Sequence, residues 1–402
     1  MEESSRACQY IILDSVPAVK HGGARMTEIY LIRHTQAEGN RFRMIQGFWD
    51  GEVSRQGYRQ IEALAERFAD IPVDAVYASD LSRAVLTAEA IARHSRLPVH
   101  RVSALRELNA GPWEQRFFGN IMYESPVLAE QFLYDAENWQ LPGAETFRQL
   151  RSRAMAALEE IARENEGKTI AVVSHGATIR SVLSGITGIP LTDVERLPIF
   201  KNTAVSKLLW DGSEFSIVFL NDDSHLTEND KSSWNVTADL RDTPFRPEAD
   251  RDCYERCYRE AWMASHGNLL DFSARDYYIA ACRHQRRYPG SVMRLWLQDQ
   301  AAGLVDLNPD RGAGDRIGWI SLLFLEENFR GRGYAIQLLA RAIHYYRAQK
   351  RECLQLLVSE QNETAQKFYF REGFQIKDRL EGQAGELLLL ECPLSTPPAC
   401  VD

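Results

Sequence analysis

Two histidines each follow directly after an apolar segment with the composition of a buried strand. His34 follows the run that begins at Ile29, and His175 follows the run that begins at Thr169 and leads into a predicted helix. In open α/β sheets, reactive groups are carried by loops at the carboxyl ends of the strands. Two strands of one sheet would therefore bring His34 and His175 to the same crevice. A histidine there can act as a nucleophile, an acid, a base or a metal ligand.

Arginines and a carboxylate accompany the histidines. Arg33 precedes His34, and Arg83 falls in the first turn of a predicted helix. Glu107 lies in a loop rich in turn residues. A guanidinium group binds phosphate or carboxylate through paired hydrogen bonds. The set favours phosphoryl transfer, in which arginines neutralise the phosphate oxygens, a histidine attacks phosphorus and a carboxylic acid protonates the leaving alcohol. Taken alone, Arg33-His34 would more often be a strand end with a surface arginine and a capping histidine, so the recurrence of the pattern is what favours a site.

Five motifs make residues 27 to about 220 resemble the histidine phosphatase superfamily, the group that contains cofactor-dependent phosphoglycerate mutase and the broad-specificity and α-ribazole phosphatases. In chain order they are LIRHTQAEGN, SDLSRAVLTAE, RELNAGPWE, PGAETFRQLRSRA and VVSHGATIR. The resemblance implies a three-layer α/β/α, phosphoglycerate mutase-like domain. It implies that His34 becomes phosphohistidine, that Glu107 is the proton donor, and that no metal or cofactor is needed. The phosphate would be held by Arg33, Asn40, Arg83 and His175.

Some positions depart from the family pattern. Thr35 stands where the common motif has Gly, and Ala37 where it usually has Thr. Because Thr35 adds a β-branched side chain where the backbone should approach phosphate closely, we expect an effect on rate rather than on the reaction. Residues 120–140 are predicted to be helical and, by resemblance, to roof the pocket with aromatic side chains, although a place in the core is the equal alternative. The absence of a longer insert and the SDLSRA motif favour a phosphatase. The alternative is phosphoglycerate mutase-type transfer, which needs a phosphohistidine primed by a bisphosphate.

The segments between these motifs alternate between strand and helix patterns. Helices are predicted from about Ser54 and about Thr146, and the strands AVSKLLW and FSIVFLN end the domain. The next stretch is polar and rich in Asp, Asn and Ser, which is typical of a linker. The predicted organisation is an extension without an assigned role at 1–25, a first domain at 26–220, a linker at 221–245, a second domain at 246–396 and a tail at 397–402.

The second domain centres on WISLLFLEENFRGRGYAIQLLARAIHYY, in which an apolar strand runs into a glycine- and arginine-rich turn and then a helix. Gly331 and Gly333 allow successive backbone N–H groups to converge. The helix N-terminus adds partial positive charge, so the turn suits a pyrophosphate. The Rossmann fingerprint is not met, because neither its glycine spacing nor its βαβ context is present. A tight strand–helix turn without a ligand is the alternative.

A later motif, QNETAQKFYFREGF, predicts a helix capped by Asn362 and ended by Gly373. Together with the turn, it makes residues 246–394 resemble the GNAT N-acetyltransferases, which implies a mixed α/β domain that uses acetyl-CoA. By resemblance, Asn362 contacts the cofactor arm and Tyr369 protonates the departing thiolate, which needs no unusual tyrosine pKa. A helix aromatic in the core is the alternative for Tyr369. The pyrophosphate would be bound by the backbone of Arg330, Gly331, Arg332, Gly333, Tyr334, Ala335 and Ile336.

The sequence does not identify the general base of an acetyl transfer. The strand Ile317–Leu325 contains no acid before Glu326, which follows its end. Asp315, Glu326 or a water relay are the candidates. Residues 250–288, which border the acceptor site in this fold, carry several arginines. These would suit an acidic acceptor or simply form a solvated face.

Composition restricts the partners and the location. A net charge of −9 argues against nucleic acid, because binding the phosphate backbone needs a basic face. No apolar run is long enough to span a bilayer, and the N-terminal segment lacks a signal-peptide layout. The seven cysteines are scattered and odd in number, which fits free thiols in a reducing compartment, so a cytoplasmic location is expected. Cys253 and Cys257 are one helical turn apart but lack a second Cys/His pair at zinc-ligand spacing, so no metal site is predicted.

These observations predict a bifunctional enzyme that hydrolyses a small phosphorylated metabolite and acetylates a small amine, with both domains acting on one metabolite or pathway. The sequence names neither compound and predicts no particular oligomer. The rival hypothesis is that one half is a non-catalytic domain that binds its ligand and regulates the other. The complete set of motif residues weighs against it for the first half, whereas the missing base leaves it open for the second.

Overall fold

Two sheets, one in each half of the chain, organise the protein. The structure is a computed structural model that describes residues 26–231, 239–270, 272–382 and 385–394. The predicted extension at 1–25 and tail at 397–402, with Cys8 and Cys400, lie outside the described residues. Within the described ranges, no helix is long and apolar enough to cross a membrane.

The first sheet has six strands. They are β1 (Thr27–Arg33), β2 (Ala75–Ala78), β3 (Val99–Arg101), β4 (Thr169–Ser174), β5 (Val205–Trp210) and β6 (Phe215–Asp222). Their order is β3-β2-β4-β1-β5-β6, with β1 parallel to β4 and antiparallel to β5. β1 is buried on both faces, with Ile29 and Leu31 packing on one side and Ile32 on the other. A continuous apolar run is what a strand covered on both sides requires.

Helices cover both faces of this sheet. They are α1 (Glu38–Phe42), α2 (Arg55–Phe68), α3 (Ser82–Ser95), α4 (Phe118–Glu124), α5 (Pro126–Tyr134), α6 (Phe147–Glu164) and α7 (Gly176–Thr187). α6 and α7 pack on one face and α2 and α3 on the other, so the predicted three-layer α/β/α architecture is confirmed. The predicted helix starts are confirmed too. Ser54 caps α2 by accepting from the N–H of Gly57, and Thr146 forms a capping box with Gln149.

The second half forms a mixed sheet of seven strands, ordered β12-β13-β11-β10-β9-β8-β7. The elements are β7 (Arg241–Pro244), α8 (Pro247–His266), α9 (Ala274–Arg287), β8 (Val292–Leu297), β9 (Gln300–Asn308), β10 (Ile317–Leu325), α10 (Ala335–Ala348), β11 (Cys353–Ser359), α11 (Glu363–Arg371), β12 (Gln375–Gly382) and β13 (Gly385–Pro393). α8 and α9 pack on one face, and α10 and α11 on the other. β7 falls inside the predicted linker 221–245, yet it pairs with β8. An edge strand can pair through its backbone without an apolar pattern, and that pattern was the basis of the linker prediction.

Strands β10 and β11 separate in the middle of this sheet. Their pairing is confined to Ile317–Trp319 against Cys353–Gln355. β10 then bulges between Ile320 and Leu322, and beyond this point it stays paired only with β9 among the described residues. A bulge bends its strand and ends regular pairing, so an opening forms between two neighbouring parallel strands.

Candidate active sites

His34 and His175 meet at the carboxyl ends of adjacent strands. The register of β1 on β4 pairs Arg33 with Ser174, which places the two following histidines side by side. Their ring centroids are 4.9 Å apart, and their exposed fractions are 3% and 0%. The predicted shared crevice is therefore present.

Hydrogen bonding and burial fix the state of His34. Its Nδ1 lies 2.6 Å from the carbonyl oxygen of Thr35, a partner that can only accept, so Nδ1 carries the proton and Nε2 keeps its lone pair. Burial, then Arg83 and Arg33, lower the pKa of His34 well below its ordinary value. The ring is thus neutral at pH 7, which is the form that attacks phosphorus.

His175 and the two arginines carry buried polar atoms without partners close to His34. Neither ring nitrogen of His175, nor Nε of Arg33 or Arg83, has a hydrogen-bond partner among the described residues, although all are buried. Buried polar atoms without partners are costly and rare, so their grouping favours a bound anion. Burial lowers the pKa of Arg33 and of Arg83 to about 10, which leaves both charged at neutral pH.

Glu107 is oriented by the first turn of α7. One oxygen accepts from the N–H of Ala177 and the other from the N–H of Thr178, each at 3.1 Å. The carboxyl group lines the same cavity as His34. The end of α7 thus fixes the carboxyl group of Glu107 at the cavity wall. The role of proton donor, which the family resemblance implies, stays a prediction.

Asn40 is tied to the nucleophile loop through Asn202, a residue that the sequence analysis missed. Asn202 Nδ2 donates to the carbonyl of His34 at 2.9 Å and lies 3.3 Å from Asn40 Oδ1. Asn40 Oδ1 also accepts from the N–H of Ala37. Because this oxygen already accepts hydrogen bonds, the amide nitrogen of Asn40 is the atom that can contact an anion. Asn202 belongs to none of the five motifs, so no local sequence signal indicated it.

Thr35, the departure from the family pattern, turns away from the histidines. Its hydroxyl donates to the carbonyl of Gly57 at 2.6 Å, and its backbone N–H donates to Thr87 Oγ1 at 3.0 Å. The β-branched side chain is therefore placed between α2 and α3, and not between the backbone and an anion.

Beyond the polar groups the cavity is largely apolar. The side chains that line it include Met44, Ile45, Leu108, Phe132, Leu133, Phe147, Val194, Ile199 and Phe200, together with Arg180. Of the predicted roof segment, Phe132 and Leu133 line the cavity, Trp139 is fully buried in the core, and Tyr123 and Tyr134 are exposed. In residues 120–140, therefore, some side chains line the cavity, as a roof would, and others belong to the core.

The glycine-rich turn of the second half lies at the N-terminus of α10, next to the opening between β10 and β11. Gly331 and Gly333 have φ of 73° and 81°, values that favour glycine. Arg330, Gly331, Arg332 and Gly333 are exposed, and Tyr334 is buried. Exposed backbone at a helix start, with two glycines at positive φ, fits the predicted pyrophosphate site. The predicted turn residues are therefore brought together, with Ala335 and Ile336 beginning the helix.

Asn362 and Tyr369 both lie on or beside α11. Asn362 caps the helix by accepting from the N–H of Ala365, so its amide nitrogen is the group available to a cofactor. Tyr369 packs between Phe368 and Phe374 in the core, and burial raises the pKa of its hydroxyl above the ordinary value. A hydroxyl that keeps its proton is compatible with the predicted role as a donor.

The two predicted candidates for a general base are unequally placed. Asp315 is exposed in the turn before β10, at the end opposite the opening. Glu326 lies at the opening, but Arg256 binds both of its carboxylate oxygens. Cys253 and Cys257 lie beside Glu326, with their sulfur atoms 3.9 Å apart. Glu326 is the only carboxylate among these three residues, and the Arg256 guanidinium already neutralises it.

Asp306 on β9 is a third acid that the sequence analysis missed, because it sits inside an apolar strand. It pairs with Leu322, the residue at the bulge of β10. Tyr254 and Tyr258 donate to its Oδ2 at 2.6 and 2.8 Å, whereas its buried Oδ1 has no partner among the described residues. Burial raises the pKa of Asp306 to about 6, which suits a base that works near neutral pH.

Comparison with known proteins agrees with this division. The profile of the histidine phosphatase superfamily (branch 1) matches residues 29–223, and that of the acetyltransferase (GNAT) family matches residues 248–374. The probable phosphoglycerate mutase GpmB of Shigella boydii is 31% identical over 206 residues, which cover 50% of this chain and 95% of that protein. GpmB of Proteus mirabilis is 31% identical over 208 residues, covering 50% of this chain and 96% of its own length. Among solved structures, YhfR of Bacillus stearothermophilus is 27% identical with a TM-score of 0.48, covering 50% of this chain and 98% of its own.

Proposed function

We propose that this chain, which belongs to the histidine phosphatase superfamily through residues 29–223 and carries a GNAT acetyltransferase domain at residues 248–374, hydrolyses a phosphomonoester at His34 and acetylates an amine in its second half. The observation that carries the first activity is the neutral His34 with a free Nε2 beside His175. Arg33 lines the same cavity, the charges of Arg33 and Arg83 act on His34, and the Nε of each arginine has no partner among the described residues.

The phosphatase reaction proceeds in two steps. His34 Nε2 attacks phosphorus while Arg33 and Arg83 neutralise the phosphate oxygens, and Glu107 gives its proton to the leaving alcohol oxygen. Glu107, now a carboxylate, takes a proton from water as the water oxygen displaces the histidine from phosphorus. Inorganic phosphate leaves and His34 returns to its neutral form.

The cavity supports hydrolysis of a phosphoester with an apolar leaving group. Apolar side chains form most of its lining, and they would exclude an extended charged substrate. One observation favours a second candidate, phosphoglycerate mutase-type transfer to an acidic substrate. Arg180 lines the cavity, its Nε has no partner among the described residues, and burial lowers its pKa only to about 10, so it can hold a carboxylate.

A phosphate-release assay separates these candidates. The full chain and His34→Ala are offered sugar phosphates, nucleotides, phosphoglycerates and an aryl phosphate. Release that depends on His34 and is fastest on the aryl ester supports the phosphatase. Interconversion of phosphoglycerates that needs a bisphosphate primer supports the mutase. Release that is equal in both proteins contradicts the phosphohistidine mechanism.

For the second half, the turn from Arg330 to Gly333 fits the pyrophosphate of acetyl-CoA, which supplies the acetyl group as a thioester. The backbone N–H groups of the turn bind the phosphates, and Asn362 contacts the cofactor arm. Tyr369 holds a proton for the departing sulfur. Asp306 receives the proton of the acceptor amine, since it lies at the bulge and keeps one oxygen unpaired.

A thermal denaturation experiment tests cofactor binding. Acetyl-CoA at about 1 mM should raise the unfolding temperature of the full chain, because a ligand well above its dissociation constant stabilises the folded state by kilocalories. An unchanged unfolding temperature would argue against the cofactor.

We further propose that both domains act on one metabolite. The best phosphatase substrate and its dephosphorylated product are therefore the first compounds to offer to the acetyltransferase domain as amine acceptors. Full-efficiency turnover of unrelated compounds by the two domains would contradict this.

A further inference from the structure

The short helix α1 links the phosphatase crevice to the second domain. It begins four residues after His34 and contains Asn40, the predicted phosphate contact. Phe42, the last residue of α1, and Met44, which follows the helix, are buried against Ala340 of α10, which is fully buried. Because these apolar residues come from both domains, removing either domain would expose the other's surface.

A buried ion pair fixes the same helix. Arg347 Nη1 of α10 lies 2.7 Å from Glu38 Oε1, and Glu38 is only 5% exposed. Arg347 Nε also donates to the backbone oxygen of Leu394, which anchors the guanidinium within the second domain. Arg41 of α1 pairs with Glu372 at the end of α11. Glu38 is the buried member of its pair with Arg347, whereas the Arg347 side chain is 30% exposed. Removing Arg347 leaves the Glu38 carboxylate without its charge partner, which favours either its protonation or a shift of α1 towards water.

A displacement of α1 would directly affect the position of the nucleophile, His34. Asn40 lies two residues after Glu38 in the same helix, and its side chain contacts Asn202. Asn202 in turn donates to the carbonyl of His34. Two hydrogen bonds thus connect Asn40 to His34, and Asn40 is two positions along α1 from the ion pair at Glu38.

We propose that Arg347, a residue of the acetyltransferase domain, is a positioning residue of the phosphatase site, because its pair with Glu38 fixes α1 and thereby Asn40 and the His34 loop. This inference rests on the proposed phosphatase function. It makes the first domain's site dependent on the second domain.

The test compares the full chain with Arg347→Ala, Arg347→Lys and a matched control, Arg379→Ala. Arg379 also pairs with two glutamates, Glu360 and Glu386, but within the second domain. With p-nitrophenyl phosphate as the probe, we expect Arg347→Ala to raise KM about tenfold and to lower kcat less, since a misplaced binding group weakens phosphate binding first. Arg347→Lys should recover part of the loss, and Arg379→Ala should behave as the parent.

Several outcomes would overturn the inference. They are an unchanged KM in Arg347→Ala, an equal rise in Arg379→Ala, or a lysine variant no better than alanine. If Arg347→Ala does not fold, Glu38→Gln replaces it, because the amide removes the pair without burying a lone charge. Binding of inorganic phosphate measured by calorimetry is the second readout. If the parent binds phosphate but no protein turns over the probe, the proposed function fails. Equal phosphate affinity in the parent and the variants would then refute the positioning role independently.

Discussion

The two candidate sites of this protein are built in opposite ways. His34 and His175 lie almost wholly buried at the ends of neighbouring strands, with charged arginines around them. The turn from Arg330 to Gly333 is exposed and offers backbone groups. A histidine nucleophile needs a desolvated, neutral ring and fixed cations, so its site depends on many side chains. A pyrophosphate cradle needs only backbone geometry at a helix start.

This difference predicts how each site responds to substitution. Single side-chain changes should abolish the first activity, whereas the second should be sensitive to backbone changes in the turn and to the one acid at the bulge. Each of the following experiments can break this contrast.

The largest effect is expected for His34→Ala. Its phosphatase kcat/KM should fall by at least about 10³-fold, since removing a covalent nucleophile costs that much or more. Acetyl-CoA binding should be unchanged. His94→Ala, an exposed histidine on α3, is the control that should behave as the parent. Retained hydrolysis in His34→Ala would show that the buried crevice is not the catalytic site.

Glu107→Gln should lose less activity, and the loss should depend on the leaving group. On alkyl phosphates, whose leaving oxygen needs a proton, we expect a fall of about 10²- to 10³-fold, the usual contribution of a general acid. On p-nitrophenyl phosphate, whose phenolate leaves without help, bond cleavage should be much less affected. Rates on a series of esters with leaving groups of different pKa check this. Because Glu107 also serves as the base of the second step, which all esters share, the comparison uses the rate of the first, phosphoryl-transfer step. An equal loss of that rate on all esters would assign Glu107 to orientation and not to protonation of the leaving group.

The sequence predicted more of the first site than of the second for a physical reason. Arg33, His34 and Asn40 belong to one continuous segment that runs from the end of β1 into α1, so a local motif records their spacing. Asp306 and Asn202 reach their sites only through strand pairing and loop packing, which bring together residues far apart in the chain. β7 was predicted as linker because its stability comes from the neighbouring strand and not from its own composition.

Asp306→Asn tests the missed acid of the second site. We expect acetyl transfer to an amine panel to fall about 10²-fold, the usual size of general-base catalysis, while acetyl-CoA binding is retained. Because burial raises the pKa of Asp306 to about 6, the parent should lose activity as the pH falls through about 6, where the carboxylate becomes protonated. Amine-dependent release of CoA measured across pH shows both effects. Asp315→Asn, in the exposed turn, is the matched control, and an equal loss there would contradict the assignment.

Gly333→Ala tests the claim that the second site depends on backbone geometry. At φ 81° an alanine costs about 1–2 kcal/mol, so acetyl-CoA affinity should fall about tenfold. Among the described residues, no atom outside the chain neighbours lies within 4 Å of the added Cβ, so the expected cause within the protein is backbone strain. Gly314→Ala, where the Cβ is equally unobstructed and φ is not positive, should bind as the parent. Titration of acetyl-CoA against both variants distinguishes them, and equal affinities would exclude a backbone cradle.

The smallest effect concerns whether the two sites act independently. α10 begins at the turn and contacts α1 through Ile336, Ala340 and Arg347 along its length. Acetyl-CoA should therefore change the KM for p-nitrophenyl phosphate by about two- to fivefold, at or below the lower end of typical coupling between sites. Thermodynamic linkage requires acetyl-CoA to change the Kd of inorganic phosphate by the same factor by which inorganic phosphate changes the Kd of acetyl-CoA. Both effects should vanish in Arg347→Ala, since the ion pair connects the helices. Persistence of the coupling in that variant would place the connection elsewhere in the interface, with the apolar contacts of Phe42 and Met44 as the remaining route.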